Sequence, residues 1–165
     1  MPQRLSGKNV MVLVSNGVDE AVMSSVQRDI IKTGAKIKVV STDNGLVNSW
    51  NGKNWGLYFP VDANINSTLG SDFDMLVVPS GKMSVEKLAS NPHFERVISS
   101  FITAQKPMFF LGNAAELLKN IDHSERSNII ATGDVGGELA SSIFSMIMHF
   151  ADGIVDQKTE MKQVA

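Results

Sequence analysis

The hydrophobic positions of the chain follow two alternating patterns. A short continuous apolar run at residues 10–14 predicts a strand that is buried on both faces. Val22, Val26 and Ile30 then recur at helical spacing and predict an amphipathic helix. Gly34 is placed to end that helix, and the run "KIKVVS" predicts a second strand. This β-α-β opening indicates a parallel sheet.

The same alternation continues to the end of the chain. Asn91 and Pro92 suit the N-cap and the first position of another helix. Three further strands are predicted at residues 73–78, 108–111 and 129–132, and a short helix from about Asn113 to Leu118. The last helix is predicted to begin near Asp134, and it is apolar on more than one face. Such a helix is either deeply buried or lies at a subunit contact. The core-facing positions of the helix after Asn91 are Phe94, Val97, Ile98, Phe101 and Ile102, and the apolar positions at helical spacing in the last helix are Leu139, Ile143, Met146, Ile147 and Phe150.

One segment, "GLVNSWNGKNWGLYFPVD", follows neither pattern and predicts a hairpin. Asn51 and Gly52 lie between two Trp-bearing runs, and both residue types tolerate positive φ, as a two-residue turn requires. Trp50, Trp55 and Tyr58 could line a binding face. We expect them instead to cover the sheet or to form an oligomer contact, because they are large aromatics with polar atoms.

The element order is therefore β-α-β-hairpin-β-α-β-α-β-α. It predicts one domain over residues 1–165, with a polar tail from about 152, built as a three-layer α/β sandwich on a mostly parallel sheet. Ligands of such sheets bind at the carboxyl ends of the strands. Candidate chemistry is therefore expected in the turns at residues 15–17, 80–81, 112–113 and 133–134.

The net charge and the amino-acid composition exclude several classes of function. A net charge of −2 offers no electrostatic basis for binding nucleic acid or an anionic membrane. The absence of cysteine excludes disulfides, thiolate metal ligands and a Cys nucleophile. No His, Asp or Glu spacing resembles a metal-ligand set, and no cofactor is expected. The apolar run at residues 10–14 is too short for a signal peptide or a membrane span, so we expect a cytoplasmic protein.

Several stretches together resemble the ThiJ/PfpI superfamily, which has the class I glutamine amidotransferase-like, flavodoxin-like fold and includes deglycases, bacterial stress proteins and so-called intracellular proteases. The matching stretches begin with "NVMVLVSNGVDEAVMSSVQRDIIKTGAKIKVVS" and "DFDMLVVPSG", in which Ser80 replaces the first Gly of a Pro-Gly-Gly turn. They continue with "KPMFFLGNAAELL", at the family's nucleophile elbow, and "ATGDVGGELA", at the start of its last helix.

The resemblance also implies that every reactive side chain has been replaced. The family's elbow Cys falls on Gly112, and the His after it falls on Asn113. The acidic partner of the Cys falls on Val22. Only the backbone N–H of Gly81 would remain from the oxyanion site. No catalytic residue is therefore expected.

One branch of the superfamily resembles the chain more closely than the other branches do. The C-terminal domain of large-subunit catalases shares the fold, lacks the nucleophile and commonly has an elbow similar to Gly112-Asn113-Ala114. The chain resembles a stand-alone copy of that domain, without the catalase barrel and hence without haem. The resemblance implies a stabilising or chaperone-like role and a homodimer.

Three alternatives involve other polar residues. Ser80 could act with His93, His123 or His149, although no histidine lies in a strand-end turn, and we expect Ser80 to cap the turn before Lys82. Asp19 and Glu20 could act as a carboxylate pair, although the helix dipole sufficiently explains acids at a helix start. The amides of Gly112 and Asn113 could bind a small anion or carboxylate above an open floor at Gly81. The candidate pocket residues are Asp19, Glu20, Val22, Ser80, Gly81, Gly112 and Asn113.

The expected function is that of a non-catalytic, stress-related or chaperone-like protein that acts through contacts with itself and with client proteins. A small-molecule binding module is the first alternative. A hydrolase or glyoxalase with a nucleophile other than Cys is the second.

Overall fold

The computed structural model describes residues 7–32, 34–118 and 129–132. Eight strands are present in this part of the chain. In chain order they are β1 Asn9–Val14, β2 Lys36–Ser41, β3 Leu46–Trp50, β4 Trp55–Pro60, β5 Ala63–Asn64, β6 Met75–Val78, β7 Met108–Leu111 and β8 Ile129–Thr132. Six of them form one sheet in the order β5-β2-β1-β6-β7-β8, and every neighbouring pair is parallel. The mostly parallel α/β sheet predicted from the sequence is therefore confirmed.

The described helices connect these strands. The α-helices are α1 Glu20–Lys32, α2 Lys82–Ala89 and α3 Phe94–Thr103, and the 3₁₀ helices are Ile65–Ser67, Gly70–Asp72 and Gly112–Leu118. Gly34 follows α1 with a φ of +86°, as expected of the residue that ends a helix. None of the described helices is long and apolar enough to cross a membrane.

The core lies on both faces of the sheet, which accounts for the continuous apolar runs. Successive side chains of a strand point to opposite faces. In β1, Val10 and Val12 pack in one cluster with α1, whereas Met11 and Leu13 pack in a second cluster with α2 and α3. Residues 10–14 of this strand are fully buried. The result is the predicted three-layer sandwich in a flavodoxin-like arrangement.

The strand order reverses direction at β1. The chain first extends the sheet from β1 through β2 to β5, then crosses to the other side of β1 and continues through β6, β7 and β8. The carboxyl ends of β1 and β6 therefore flank a topological switch point, where the two connecting segments leave the sheet on opposite faces. This position contains the turns at residues 15–17 and 80–81.

Two helical predictions need correction. The sequence predicts one helix between β6 and β7, but the structure has two. The pattern missed α2 because the apolar stripe of this helix consists only of Val85 and Leu88. α3 begins at Phe94, two residues later than predicted. Asn91 instead caps a turn, since its Oδ1 accepts the N–H of His93 at 2.8 Å.

The helix after β7 also differs from the prediction in its type and in its first residue. Residues 112–118 form a 3₁₀ helix rather than an α-helix, and it begins at Gly112 rather than Asn113. β6 is shorter than predicted, because Phe73 directly follows the 3₁₀ helix Gly70–Asp72 and is not part of the strand. The predicted last helix from about residue 134 and the polar tail lie outside the described residues.

The predicted hairpin is present, but its turn is longer than expected. β3 and β4 pair antiparallel, and Trp50 pairs with Trp55, which leaves four residues in the connection. Gly52 has a φ of +102°, whereas Asn51 does not have a positive φ. Asn51 stabilises the longer turn through its side chain, because Oδ1 accepts the N–H groups of Lys53 at 3.0 Å and Asn54 at 2.9 Å.

One acid is buried in α1 without full compensation. The side chain of Asp29 is 4% exposed, and its Oδ1 lies 3.7 Å from Nε of Arg28. Its Oδ2 has no hydrogen-bond partner. Burial raises the pKa of the Asp29 carboxyl above its ordinary value of 3.8, and this effect outweighs the opposing attraction of Arg28 and Lys32.

The substitution Asp29→Asn is expected to stabilise the fold. A raised pKa in the folded state means that stability falls as pH rises from about 3.8 through the folded-state value. The gain from the substitution should therefore be absent at low pH and reach about 1 kcal/mol at neutral pH, by removing a buried charge. Chemical denaturation across this pH range measures it.

Glu86→Gln, which changes an exposed acid on α2, is the matched control for the replacement of an acid by its amide. A stability gain for Asp29→Asn that is independent of pH would contradict the assignment of the cost to the charge.

Candidate functional site

The turn after β1 and the turn after β6 are joined directly through their backbones. The N–H of Asp19 donates to the carbonyl of Ser80 at 2.9 Å, so the start of α1 is tied to the end of β6. The turn after β1 is also bonded to the hairpin, because the N–H of Gly17 donates to the carbonyl of Asn48 at 2.9 Å. Three segments that are distant in sequence therefore meet at the switch point.

Gly81 allows this close approach. Its φ is +143°, a conformation that residues with a side chain rarely adopt. A Cβ placed at Gly81 would lie 2.6 Å from the carbonyl oxygen of Gly17 and 2.7 Å from Cα of Val18. Since both neighbours are backbone atoms, they cannot move aside as the end of a side chain could. Glycine at this position is required by the packing of the two turns.

Ser80 is held by an acid rather than by a histidine. Its hydroxyl is almost fully buried and donates to Oδ2 of Asp19 at 2.7 Å. The expectation that Ser80 caps the turn before Lys82 is wrong, since α2 has Gly81 at its N-cap position and no side-chain cap. The carboxylate of Asp19 accepts this hydrogen bond and thereby links the start of α1 to the end of β6.

The elbow turn after β7 is a sharp turn between a strand and a helix, as expected, and its two residues are Gly112 and Asn113. Gly112 has a φ of +53°, which is the left-handed region that glycine adopts at little cost. The side chain of Asn113 turns toward β6, and its Oδ1 accepts the backbone N–H of Gly81 at 2.9 Å. The expected open floor at Gly81 is therefore wrong, because this donor is already bonded within the chain.

The two neighbouring acids at the start of α1 have different partners. Asp19 accepts from Ser80, whereas Oε1 of Glu20 accepts the N–H of Leu57 in β4 at 2.8 Å. Glu20 lies against Gly56, where a Cβ would come within 2.6 Å of its Oε1. Val22, at the position of the family's acid, is 4% exposed and belongs to the apolar cluster under α1.

A polar cluster that the sequence analysis did not identify surrounds the end of β1. The hydroxyl of Ser15 lies 2.7 Å from that of Thr42 and donates to Oδ2 of Asp43 at 3.2 Å. The amide nitrogen of Asn16 donates to the same carboxylate oxygen at 3.0 Å. The detectable signal was the run of small polar residues that follows β1 and β2 in the sequence, although the pairing between these runs depends on their neighbouring positions in the sheet.

His93, the histidine that lies within the described residues, provides no support for a Ser–His dyad. His93 lies at the start of α3, where its Nδ1 is 3.4 Å from Nε of Arg96. His123 and His149 lie outside the described residues. Within the described ranges, no group of three or more His, Asp or Glu residues is arranged to hold a metal ion.

The family to which the chain belongs is established by comparison with models of known protein families. The model of the DJ-1/PfpI family matches residues 8–140. The chain belongs to the DJ-1/PfpI family. This match includes β1, the switch point and the elbow turn, so the predicted ThiJ/PfpI resemblance is confirmed.

Two relatives match parts of the sequence. General stress protein 18 of Bacillus subtilis (strain 168) is 26% identical over 114 residues, which cover 69% of this chain and 64% of the relative. Catalase HPII of Pseudomonas putida is 31% identical over 87 residues, which cover 53% of this chain and 12% of the catalase. The chain thus matches less than two thirds of either protein, and the expected likeness to part of a large catalase is confirmed.

Solved structures have the same fold. Oxidized DJ-1 of Toxoplasma gondii aligns with a TM-score of 0.67 and 15% identity, over 93% of this chain and 98% of that one. A ThiJ/PfpI domain protein of Brachyspira murdochii aligns with a TM-score of 0.61 and 18% identity, over 68% of this chain and 63% of that one. At these identities the likeness establishes the fold and nothing about activity.

The packing at Gly81 predicts that Gly81→Ala is severely destabilising. The new Cβ would collide with backbone atoms of residues 17 and 18, and the φ of +143° would be strained, so we expect a loss of at least about 2 kcal/mol. Gly45→Ala is the matched control, since Gly45 has a φ of +83° but open space around its Cβ position. Urea denaturation compares the two, and equal losses would refute the close-packing argument.

Proposed function

We propose that this protein is a non-catalytic member of the DJ-1/PfpI family that acts in stress protection through protein contacts. The observation that carries the proposal is the bond from the Gly81 N–H to Oδ1 of Asn113, at the elbow turn where Gly112 supplies no side chain. A family-type site would need a nucleophile at this turn and free donors beside it. Here the position of the nucleophile is glycine, and the donor is bonded to the neighbouring side chain.

The remaining hydroxyl near the turn is poorly suited to replace a nucleophile. Ser80 is 1% exposed and donates its proton to Asp19, with no histidine bonded to it among the described contacts. A serine nucleophile needs a base that accepts its proton and a position from which it reaches the substrate. Loss of the nucleophile of a serine protease lowers kcat by about 10⁶-fold, so the remaining backbone donors should leave negligible turnover.

The stress-related part of the proposal is supported by family membership and by similarity to General stress protein 18. The match to 12% of Catalase HPII agrees with the resemblance to a catalase C-terminal domain, which implies a role without a nucleophile. A chaperone-like action also requires an exposed surface that contacts other proteins. We expect the protein to act in the cytoplasm.

The alternative of a carboxylate-binding module is less well supported by the geometry. An incoming carboxylate would have to displace Oδ1 of Asn113 from the Gly81 N–H, exchanging one hydrogen bond for another. The 3₁₀ helix at Gly112–Leu118 is also a short element and is not the α-helix on which that expectation rested. Thermal-shift measurements with small carboxylic acids are expected to show no stabilisation.

Parallel assays test the proposed function. Purified protein is tested for methylglyoxal consumption, for ester hydrolysis and for suppression of aggregation of a heat-denatured client protein. We expect aggregation suppression without turnover, and no difference in either enzymatic assay between the protein and its Ser80→Ala variant. Turnover that Ser80→Ala abolishes would replace the proposal by the hydrolase or glyoxalase alternative, and the absence of suppression would reject the chaperone-like action.

The hairpin also suggests a self-association surface. Four of the six large hydrophobic side chains that are exposed within the described residues lie on it: Leu46, Trp55, Leu57 and Tyr58. The only charged residue between positions 46 and 60 is Lys53, in the turn. Leu46 and Tyr58 lie on one face of the hairpin, and Trp55 and Leu57 lie on the other. Exposed apolar side chains with little charge between them are typical of a protein interface. We therefore propose that two copies of the chain associate through the hairpin into a homodimer.

Tyr58→Ser is expected to weaken this dimer. Tyr58 is 61% exposed, so its loss removes apolar contact area from the interface without disturbing the core. The dissociation constant should rise about tenfold or more. Sedimentation velocity at several protein concentrations measures the change. Leu69→Ser alters a side chain that is 56% exposed outside the hairpin and is the matched control; an equal effect of both variants, or a monomeric parent protein, would refute the interface.

A further inference from the structure

The chain contains three Asn-Gly pairs, and the structure places them in three different environments. They are Asn16-Gly17 after β1, Asn44-Gly45 before β3 and Asn51-Gly52 in the hairpin turn. We propose that Asn51 is a site of spontaneous covalent modification, in which its side-chain amide is converted to a carboxylate through attack by the backbone nitrogen of Gly52. The other two pairs react more slowly in the folded protein.

The reaction uses only groups of the chain and water. The backbone nitrogen of Gly52 loses its proton to solvent and forms a bond to Cγ of Asn51. The Cγ–Nδ2 bond then breaks, and the amide nitrogen takes up a proton from water and leaves as ammonia. Water opens the resulting cyclic imide at either of its two carbonyl groups. The products are aspartate or isoaspartate at position 51, and the net change consumes one water and releases one ammonia.

The hairpin turn stabilises the charge that develops in the first step. As the Gly52 nitrogen adds to Cγ, negative charge accumulates on Oδ1 of Asn51. Two backbone N–H groups, from Lys53 at 3.0 Å and Asn54 at 2.9 Å, already donate to that oxygen. Donors placed in advance where charge develops lower the barrier of an acyl-transfer step. This pair of donors therefore favours attack at Asn51.

Access to the reacting atoms is also open at this turn. Residues 51–54 are exposed, and a Cβ built at Gly52 would have nothing within 4 Å. Water and hydroxide can therefore reach the Gly52 nitrogen, and no side chain on that residue obstructs its approach to Cγ. The hairpin turn combines an exposed nucleophile with a polarised electrophile.

Asn16-Gly17 lacks an accessible nucleophile, because Gly17 is buried. The N–H of Gly17 donates to the carbonyl of Asn48 at 2.9 Å, so the attacking nitrogen is engaged in a backbone bond. The amide of Asn16 is fixed at both ends, because Oδ1 accepts the N–H of Asn48 at 2.8 Å and Nδ2 donates to Asp43 at 3.0 Å. Reaction requires the Gly17 nitrogen to lose its proton and the Asn16 amide nitrogen to leave, so the bonds that these two groups make oppose it.

Asn44-Gly45 is an intermediate case. Both residues are exposed, as in the hairpin turn. Oδ1 of Asn44 accepts a hydrogen bond from the side-chain amide of Asn64 at 2.9 Å. A side-chain donor is held less rigidly than the two backbone donors at Asn51. The structure therefore assigns the order of reactivity Asn51, then Asn44, then Asn16.

The test is a comparison of the three sites in one molecule. The full chain is incubated at mildly alkaline pH, folded or unfolded in urea, and conversion at each site is followed by peptide mass mapping. In the unfolded chain we expect similar rates at the three pairs. In the folded protein we expect Asn51 to react at least about tenfold faster than Asn16, with Asn44 between them. Equal rates in the folded protein, or a faster reaction at Asn44 or Asn16 than at Asn51, would overturn the proposal.

A pair of glycine substitutions tests steric access of the attacking nitrogen to Cγ. Gly52→Ala should slow conversion at Asn51 and leave Asn44 unchanged, whereas Gly45→Ala should do the reverse, since both glycines have positive φ and open surroundings. Circular dichroism verifies that each variant is folded. Conversion at Asn51 that is insensitive to Gly52→Ala would contradict the claim that unobstructed access of the residue 52 nitrogen to Cγ favours the reaction.

Discussion

The close packing of the turn after β6 against the turn after β1 is the constraint on which the rest of the site depends. Gly81 lies so near the carbonyl of Gly17 and Cα of Val18 that no Cβ fits between them. This contact determines where α2 begins and brings Ser80 to Asp19. It also places the Gly81 N–H where Asn113 can accept it. One steric relation thus arranges the polar groups of three connecting segments.

The consequence for function follows from how these polar groups are satisfied. The switch point of an open α/β sheet is usually a crevice whose free backbone donors bind a ligand. In this protein, the side chains of Asn113 and Asp19 accept hydrogen bonds from the end of β6, so two donors of the crevice are bonded within the chain. A buried donor that already has a partner gains little from a ligand. The polar groups at this switch point are therefore satisfied within the chain.

The sequence predicted those features that depend on local pattern. Continuous apolar runs identified the buried strands, and helical spacing identified α1 and most of α3. The 3₁₀ geometry after Gly112 and the short helix α2 were not predicted, because their few apolar positions carry too weak a periodic signal. The bond between Gly81 and Asn113 joins residues 32 positions apart, and no local pattern encodes such a pairing. The family resemblance located the site, but only the three-dimensional structure shows which of its polar groups are already hydrogen-bonded within the chain.

The occupied state of the Gly81 amide is the central claim, and nuclear magnetic resonance tests it most directly. The backbone amide signal of Gly81 would be followed while formate is added to the protein and to its Asn113→Ala variant. The account predicts no saturable shift in the parent protein, because Oδ1 of Asn113 holds the N–H, and a saturable shift in the variant, where the donor is free. A saturable shift of the Gly81 signal in the parent protein would show that the donor is available to ligands and would contradict the account.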